Sequence, residues 1–379
     1  MKNLFIVFPK ASGGEYIATK NLATALKSLA PQNIYVNEVG NLDFVWDSSK
    51  SLQLIKSLFK SLYLYLKVFL KYKHKNIDFY YSNSLLFLFV STLGCFFSNK
   101  KAKFFYHFHG RSHDSLFEEF KKEANILKKI FYIFPVYYLL SIIEKFALKK
   151  VAKVFLPSPS ALEELEVLYK MSLTKTKIIP NGFDKKYFYP KKDFNSKKNK
   201  GFNLLYVGRI DPQKNIDLII KTHQSLKTGI TCSLDLVFPH ITDKKTADWF
   251  YKLENKNRVN LHVDLKPKQI GSLYRGVDLT ILLSSKDNFP LVFLESIACG
   301  TAVVISEIKD LLPLQKEIAS FLIVKKIKLN YVKRVIIDYL NLSKDRQLQI
   351  RKNCLQVAKN YSWQKSAKLL FNNIIDEKH

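Results

Sequence analysis

With 379 residues, 47% of them hydrophobic and 14% aromatic, the chain can bury two cores of ordinary size, which excludes a disordered protein. Its 61 Lys and Arg against 32 Asp and Glu give a net charge of +29, spread over both halves, which raises nucleic acid or a membrane surface as partner; no interleaving of basic and aromatic residues on a known module supports nucleic acid. Four distant cysteines, Cys95, Cys232, Cys299 and Cys354, with no Cys-x-x-Cys, exclude a disulfide framework and a zinc site and suit a reducing cytoplasm.

Short apolar runs alternate with helical stretches along the first half, placing strands at 4–8, 34–39, 77–81, 103–108, 153–156 and 176–179. The run Leu4–Phe8 is too short for a signal-peptide core and reads as the first strand. Ser12-Gly13-Gly14-Glu15 follows, then a helix from Tyr16 to Leu29. Between Ser51 and Ile77 stand Lys56, Lys60, Lys67, Lys71, Lys73 and Lys75 with no acid. On a helix the first four share a narrow sector, opposite a surface of Leu, Phe, Tyr and Val. With a second basic-apolar stretch, Ile126–Ile143, this reads as a face that docks on an anionic membrane; a helix packed on a sheet with a solvated Lys stripe is the other reading. The uncharged run Phe79–Asn99 is broken by Ser82-Asn83-Ser84, falls short of the roughly 20 apolar residues of a membrane span, and reads as a strand and a helix. His107 and His109 alternate onto one strand face, and His109 stands at the strand exit before Gly110. His113-Asp114 is a candidate helix start.

Residues 185–200 are polar and charged with no periodic apolar face. The expected organisation is therefore a first domain over 1–185, a linker over 186–201, a second domain over 202–361 and a C-terminal helix over 362–379 that packs back toward the first domain. Strands of the second domain fall at 203–207, 232–237, 258–263, 278–282 and 302–305. Strands alternating with helices imply α/β architecture with parallel sheets, whose ligands sit outside the strands' carboxyl ends. Two such domains would face one another across a cleft.

Two segments of the second domain carry chemistry. Leu204–Val207 runs into Gly208, where the backbone must turn, with Arg209 and Lys214 close behind. Arg209 offers a planar fork to phosphate oxygens and Lys214 a mobile point charge. In the second, Asp287 and Asn288 sit in a turn, Phe289, Pro290 and Leu291 open a helix whose first-turn amides suit an anion, and Glu295 lies inside that helix until Gly300 stops it.

Gly208-Arg209…Lys214, then Asp287…Glu295 and Ala298-Cys-Gly-Thr-Ala-Val-Val304, resembles glycosyltransferase family 4, retaining transferases of the GT-B fold. The likeness extends to the Gly13-Gly14 loop, to Phe105–Gly110, to Lys177-Ile-Ile-Pro-Asn-Gly-Phe-Asp184 and to Tyr361-Ser-Trp363. It departs at Asp287, where many relatives carry Glu, and at Leu261–Leu265, where a glycine is common after the strand. The resemblance implies two Rossmann-like domains and a UDP- or GDP-sugar donor, with no further cofactor and no metal. It assigns Arg209, Lys214 and the amides near Phe289–Leu291 to the diphosphate, and Glu295 to the ribose. Asp287 with Asn288 goes to the sugar hydroxyls, Gly13 and Gly14 to backbone approach to diphosphate and acceptor, and His109 to a polar contact near the reacting carbon. It implies a hexosyltransferase acting on a lipid-linked or glycan acceptor in bacterial surface-polysaccharide synthesis, and the cysteines and basic helices put the expected location in the cytoplasm, peripheral on the inner membrane. A same-fold epimerase or a non-catalytic nucleotide-sugar-binding subunit is the alternative.

Overall fold

The protein, in a computed structural model that describes residues 2–10, 14–39, 51–109, 134–169, 175–191, 201–226, 231–241, 248–250 and 258–376, forms two α/β units. One comprises Met1–Pro180 with Ser366–His379, the other Asn181–Lys365. Every strand expected from the sequence forms, and one more, Ile323–Val324, is too short to carry a period.

In the first unit β1 (Leu4–Pro9), β2 (Ile34–Val39), β3 (Phe79–Ser82), β4 (Lys103–His107), β5 (Val151–Leu156) and β6 (Thr176–Ile178) pair in parallel in the order β2-β1-β3-β4-β5-β6. Helices α1 (Gly14–Leu29), α2 (Ser51–Tyr72), α3 (Leu85–Phe97), α4 (Phe134–Lys150) and α5 (Pro159–Tyr169) connect them. Strand alternation sends Phe5, Val7, Tyr80, Phe104 and Tyr106 to one core, shared with Tyr65 and Phe69 of α2, Phe87 of α3 and Ile143 of α4. These three helices form one layer, with α3 packed between α2 and α4. The intervening residues Tyr81, His107 and Phe155 point to the other sheet face.

Helix α2 departs from the sequence reading. Its buried side is Leu58, Ser61, Tyr65 and Phe69, while Phe59, Tyr63, Leu66 and Leu70 stand exposed beside Lys60, Lys67 and Lys71. The lysines therefore border an apolar stripe instead of opposing it, because the helix holds more large apolar residues than the stripe facing the sheet can take. The Lys56 side chain and residues 126–133 of the second basic-apolar stretch lie outside the described residues. The rest of that stretch continues in α4, which also exposes Leu139 and Ile142. No helix among the described residues is long and apolar enough to cross a membrane.

The second unit pairs β7 (Phe202–Val207), β8 (Cys232–Phe238), β9 (Val259–Val263), β10 (Leu279–Leu282), β11 (Ala302–Ser306) and β12 (Ile323–Val324) in parallel, in the order β9-β8-β7-β10-β11-β12. This is the 3-2-1-4-5-6 order of a doubly wound nucleotide-binding sheet, and it reverses direction between β7 and β10. Its helices are α6 (Ile216–Leu226), α7 (Pro267–Gly276), α8 (Leu291–Ala298), α9 (Leu312–Ala319), α10 (Leu329–Leu340) and α11 (Lys344–Ala358). After β9, where relatives favour glycine, Asp264 takes the left-handed conformation (φ 55°) and donates its amide to the Phe238 carbonyl.

The chain enters this unit earlier than the sequence suggests. Phe183 and Phe188 are buried in its core, and Arg275 Nη1 donates to the carbonyls of Tyr187 (3.0 Å) and Tyr189 (3.5 Å) while its guanidinium lies 4.2 Å from the Tyr189 ring centroid. The start of the expected linker is thus packed structure; residues 192–200 lie outside the described residues. The last helix, α12 (Trp363–Ile375), returns to the first unit, where Ser366 donates to the Pro180 carbonyl (2.7 Å) and Lys153 to that of Asn373 (3.3 Å).

Candidate functional site

The reversal point of the second sheet gathers most of the residues singled out in the sequence. From β7, Gly208 lies so close to the Tyr206 hydroxyl that an added Cβ would sit 2.7 Å from it, and that hydroxyl donates to the Arg209 carbonyl (2.8 Å). The turn thereby holds the Arg209 backbone, while its side chain stays exposed, 3.9 Å from Asp211. A 3-10 turn over Pro212–Lys214 ends at Asn215 in the left-handed region (φ 52°), which donates from Nδ2 to the Leu283 carbonyl (2.7 Å) just past β10. That bond ties the two strand exits together.

Across this junction Lys214 Nζ lies 2.6 Å from Asp287 Oδ2 and 3.3 Å from Ser284 Oγ. Both partners of the ion pair are largely shielded from solvent, so the pair is stronger than a surface one and costs more to break. Lys214 is accordingly a fixed ammonium and not a mobile one. Asp287, assigned above to sugar hydroxyls, pairs with Lys214 in this structure. Ser284, buried and anchored through its carbonyl by the Ser306 hydroxyl (2.5 Å), escaped the sequence reading because a serine after an apolar strand has no distinguishing spacing.

The next turn also differs from expectation. Pro290 caps α8 in an extended conformation instead of occupying its first turn, and Phe289 before it is left-handed (φ 55°). The residue before a proline avoids the right-handed helical region, and a bulky side chain rarely goes left-handed without support. The support is buried Asn181, whose Nδ2 donates to the Phe289 carbonyl (2.9 Å), and packing of the Phe289 ring against Tyr361 at 5.4 Å. Asn181 belongs to the Pro-Asn-Gly-Phe-Asp segment noted above, without a role. At the other end of α8, Gly300 (φ 74°) donates to Ile297 and Thr301 to Ser296, a Schellman closure that stops the helix as expected.

Glu295 projects from the middle of α8 within reach of Tyr274, whose hydroxyl donates to Oε2 at 3.4 Å. Burial pushes the Glu295 carboxyl up to about 7, and the Tyr274 bond pulls the other way. A carboxylate poised there exchanges its proton near neutral pH. Among the described residues no group of three or more His, Cys, Asp and Glu is arranged to hold a metal ion.

Gly14 and His109 lie in the first unit; Gly13, Gly110 and the candidate helix start at His113 lie outside the described residues. Gly14 opens α1 with nothing within 4 Å of an added Cβ. Near it, Asn83 Nδ2 donates to Glu15 Oε1 (3.0 Å) at the end of β3. His109 Nε2 is 3.5 Å from Thr19 Oγ1, and its ring stacks on His107 at 4.4 Å. Burial brings the His109 imidazole down to about 4, so it is neutral at physiological pH. His107 is fully buried, and its Nδ1 lies 2.5 Å from the Tyr81 hydroxyl. Alternation alone left the two histidines equivalent; depth separates them, His107 within the sheet and His109 at its rim.

Residues 189–353 match the sequence model of the glycosyl transferases group 1 family. Among curated sequences the chain is 25% identical over 195 residues to an uncharacterised glycosyltransferase of Methanocaldococcus jannaschii, covering 50% of each. It is also 25% identical over 170 residues to the D-inositol 3-phosphate glycosyltransferase of Paenarthrobacter aurescens, covering 42% of each. The chain thus spans half the length of these relatives or less. Its fold is similar to sucrose-phosphate synthase from Thermosynechococcus elongatus (TM-score 0.73, 17% identity, 99% of each chain). It is likewise similar to Anabaena HepE in complex with UDP-glucose (0.69, 17%, 98% of this chain and 99% of that one). A third is WaaG, a glycosyltransferase involved in lipopolysaccharide biosynthesis (0.68, 13%, 97% and 98%). The group 1 match lies within the second unit, and the pair of Rossmann-like sheets gives the chain the GT-B fold of these structures.

Proposed function

We propose that the chain moves a sugar, with retention at the anomeric carbon, from a UDP- or GDP-sugar to a lipid-linked or glycan acceptor in bacterial surface-polysaccharide synthesis of the lipopolysaccharide, capsule or O-antigen type. The observation that carries this reading is the Lys214–Asp287–Ser284 junction, with Arg209 beside it, at the reversal point of a doubly wound sheet. The UDP-glucose complex of HepE and the involvement of WaaG in lipopolysaccharide biosynthesis lend support.

In the proposed reaction the bond between the anomeric carbon and the β-phosphate oxygen breaks, and its electron pair stays on the phosphate. An acceptor hydroxyl oxygen bonds to that carbon on the same face, and its proton passes to the departing phosphate. Arg209 and Lys214, with the α8 amides near Phe289–Leu291, stabilise the growing negative charge in place of a metal ion. Asp287 with Asn288 receives sugar hydroxyls, and Glu295 takes the ribose diol as an ionised double acceptor. Gly13 and Gly14 supply backbone approach to diphosphate and acceptor, and the neutral His109 makes a polar contact to the sugar. The protein works in the cytoplasm, peripheral on the inner face of the inner membrane, as a hexosyltransferase.

A panel of UDP- and GDP-sugars incubated with a lipid-linked acceptor extract and excess EDTA tests the reading. Donor-dependent glycosylation of the acceptor is expected, with an axial or equatorial linkage that keeps the donor's configuration by NMR. Conversion of donor sugar without transfer would instead indicate an epimerase. Binding of donor with no turnover would indicate a non-catalytic subunit.

A further inference from the structure

We infer that helix α2 lies in the plane of an anionic lipid bilayer, with Phe59, Tyr63, Leu66 and Leu70 inserted among the lipids and Lys60, Lys67 and Lys71 along one border of the inserted stripe. At 100° per residue the four apolar side chains span about 60° of the helix and the three lysines occupy the adjoining sector. Phe59 is 65% exposed and Tyr63 63%, values unusual for aromatic residues on a helix that already buries a full opposite side. The helix is about 33 Å long at 1.5 Å per residue, and no acid stands on it.

Two further observations extend the face. Helices α2, α3 and α4 form a single layer on one side of the sheet, so their outward sides belong to one surface. On that layer α3 ends in Phe96 and Phe97, 77% and 81% exposed, with their rings in edge contact at 5.5 Å. Large apolar residues bordered by one sign of charge match an anionic headgroup layer over acyl chains, which supplies both complements at once. A protein partner would have to bring an acidic rim of matching shape. Sequence reading located the lysines but set them opposite the apolar residues; the structure puts both on the outside, as insertion requires.

The inference deepens the membrane-surface part of the proposed function and does not depend on the donor site. Vesicle sedimentation tests it, using the intact chain with phosphatidylcholine vesicles alone and with about 30% phosphatidylglycerol added. The unmodified protein is expected to bind only the anionic vesicles, and less as salt rises. Lys60→Glu, Lys67→Glu and Lys71→Glu together should lower partitioning at least about a hundredfold, since each lysine contributes roughly fivefold. Phe59→Ser, Leu66→Ser and Leu70→Ser together should lower it at least about tenfold. All six residues are exposed, so both variants should keep the wild-type melting curve, and donor hydrolysis without vesicles should not change. No binding of the unmodified protein at low salt, equal binding to neutral vesicles, or undiminished binding by either variant would overturn the inference. So would a wild-type dimer that the serine variant turns into monomer without loss of vesicle binding, which would make the face a self-interface.

Discussion

Lys214 and Asp287 form a 2.6 Å ion pair that joins the exits of two strands adjacent in the sheet but far apart in sequence. In the proposed reaction a diphosphate arriving there would compete with Asp287 for the ammonium, and the carboxylate would pass to a sugar hydroxyl as Lys214 takes the phosphate. The two residues should therefore behave as one unit. Lys214→Ala is expected to lower kcat by about a hundredfold to a thousandfold. Asp287→Ala should cost a comparable factor, and the double variant much less than the product of the two. Arg209→Ala, exposed and weakly paired, should lose turnover with no change in melting temperature. Steady-state kinetics with circular dichroism on each variant checks this; multiplicative losses would separate the residues.

With Glu295 on the ribose, as proposed, donor binding should depend on pH. Its carboxyl sits near 7 in the folded protein, so the fraction ionised rises about tenfold between pH 6 and pH 8. If the ribose needs the carboxylate, nucleoside diphosphate affinity should rise by about the same factor over that range, and Glu295→Gln should flatten the profile at weak affinity. Stability has the opposite slope. The folded state holds this proton more tightly than the unfolded one, so ionisation costs stability as pH climbs from about 4.5 to about 7, a loss the Gln variant should lack. Calorimetric titration and thermal melts at matched ionic strength measure both.

Acid acts on the first unit in the other direction. Burial keeps His107 and His109 neutral when folded, whereas both would be protonated in an unfolded chain below about 6.5. The two should contribute stability at neutral pH that is lost as pH falls from about 6.5 toward about 4. His107→Phe should reduce that acid sensitivity in urea titrations between pH 4 and pH 7, and an unchanged slope would rule His107 out as a source.

Asn181 holds the left-handed turn at Phe289, and its removal leaves a buried carbonyl without its donor. Asn181→Ala should destabilise the second unit by about 1–3 kcal/mol. Because Phe289 precedes the helix carrying Glu295, donor affinity should drop as well, although Asn181 is not among the proposed ligand contacts. Melting temperature and nucleotide titration on the same sample separate the two effects.

The strands were legible because parallel sheets covered on both faces read as continuous apolar runs, such as Leu279–Leu282 and Ala302–Ser306. Arg209, Lys214, Asp287 and Glu295 were legible as residues because each follows a strand at a recognisable spacing. What they bond to was not. The Lys214–Asp287 pair spans 73 residues and depends on β7 and β10 being neighbours, a fact of topology that no local pattern contains. Pro290 misled because a proline suits either the cap or the first turn, and the choice was made by Asn181, 108 residues away along the chain from Phe289. On α2 the pattern of charge was plain, but which side met the sheet depended on the fit of Tyr65 and Phe69 against Phe87 and Tyr80.

The Arg275 clamp on Tyr187 and Tyr189 fixes where this protein can be cut. An added Cβ at Gly271 would fall 2.3 Å from the Tyr187 carbonyl, so α7 and this incoming segment are fitted to one another. A recombinant fragment starting at residue 202, where the first strand of the second sheet begins, would strip Phe183 and Phe188 from its core and leave the guanidinium without acceptors. One starting at residue 181 keeps all of these, together with the asparagine that shapes the turn before Glu295. The proposed donor site should be studied in isolation on that longer piece, since the shorter would be expected to aggregate before it could bind anything.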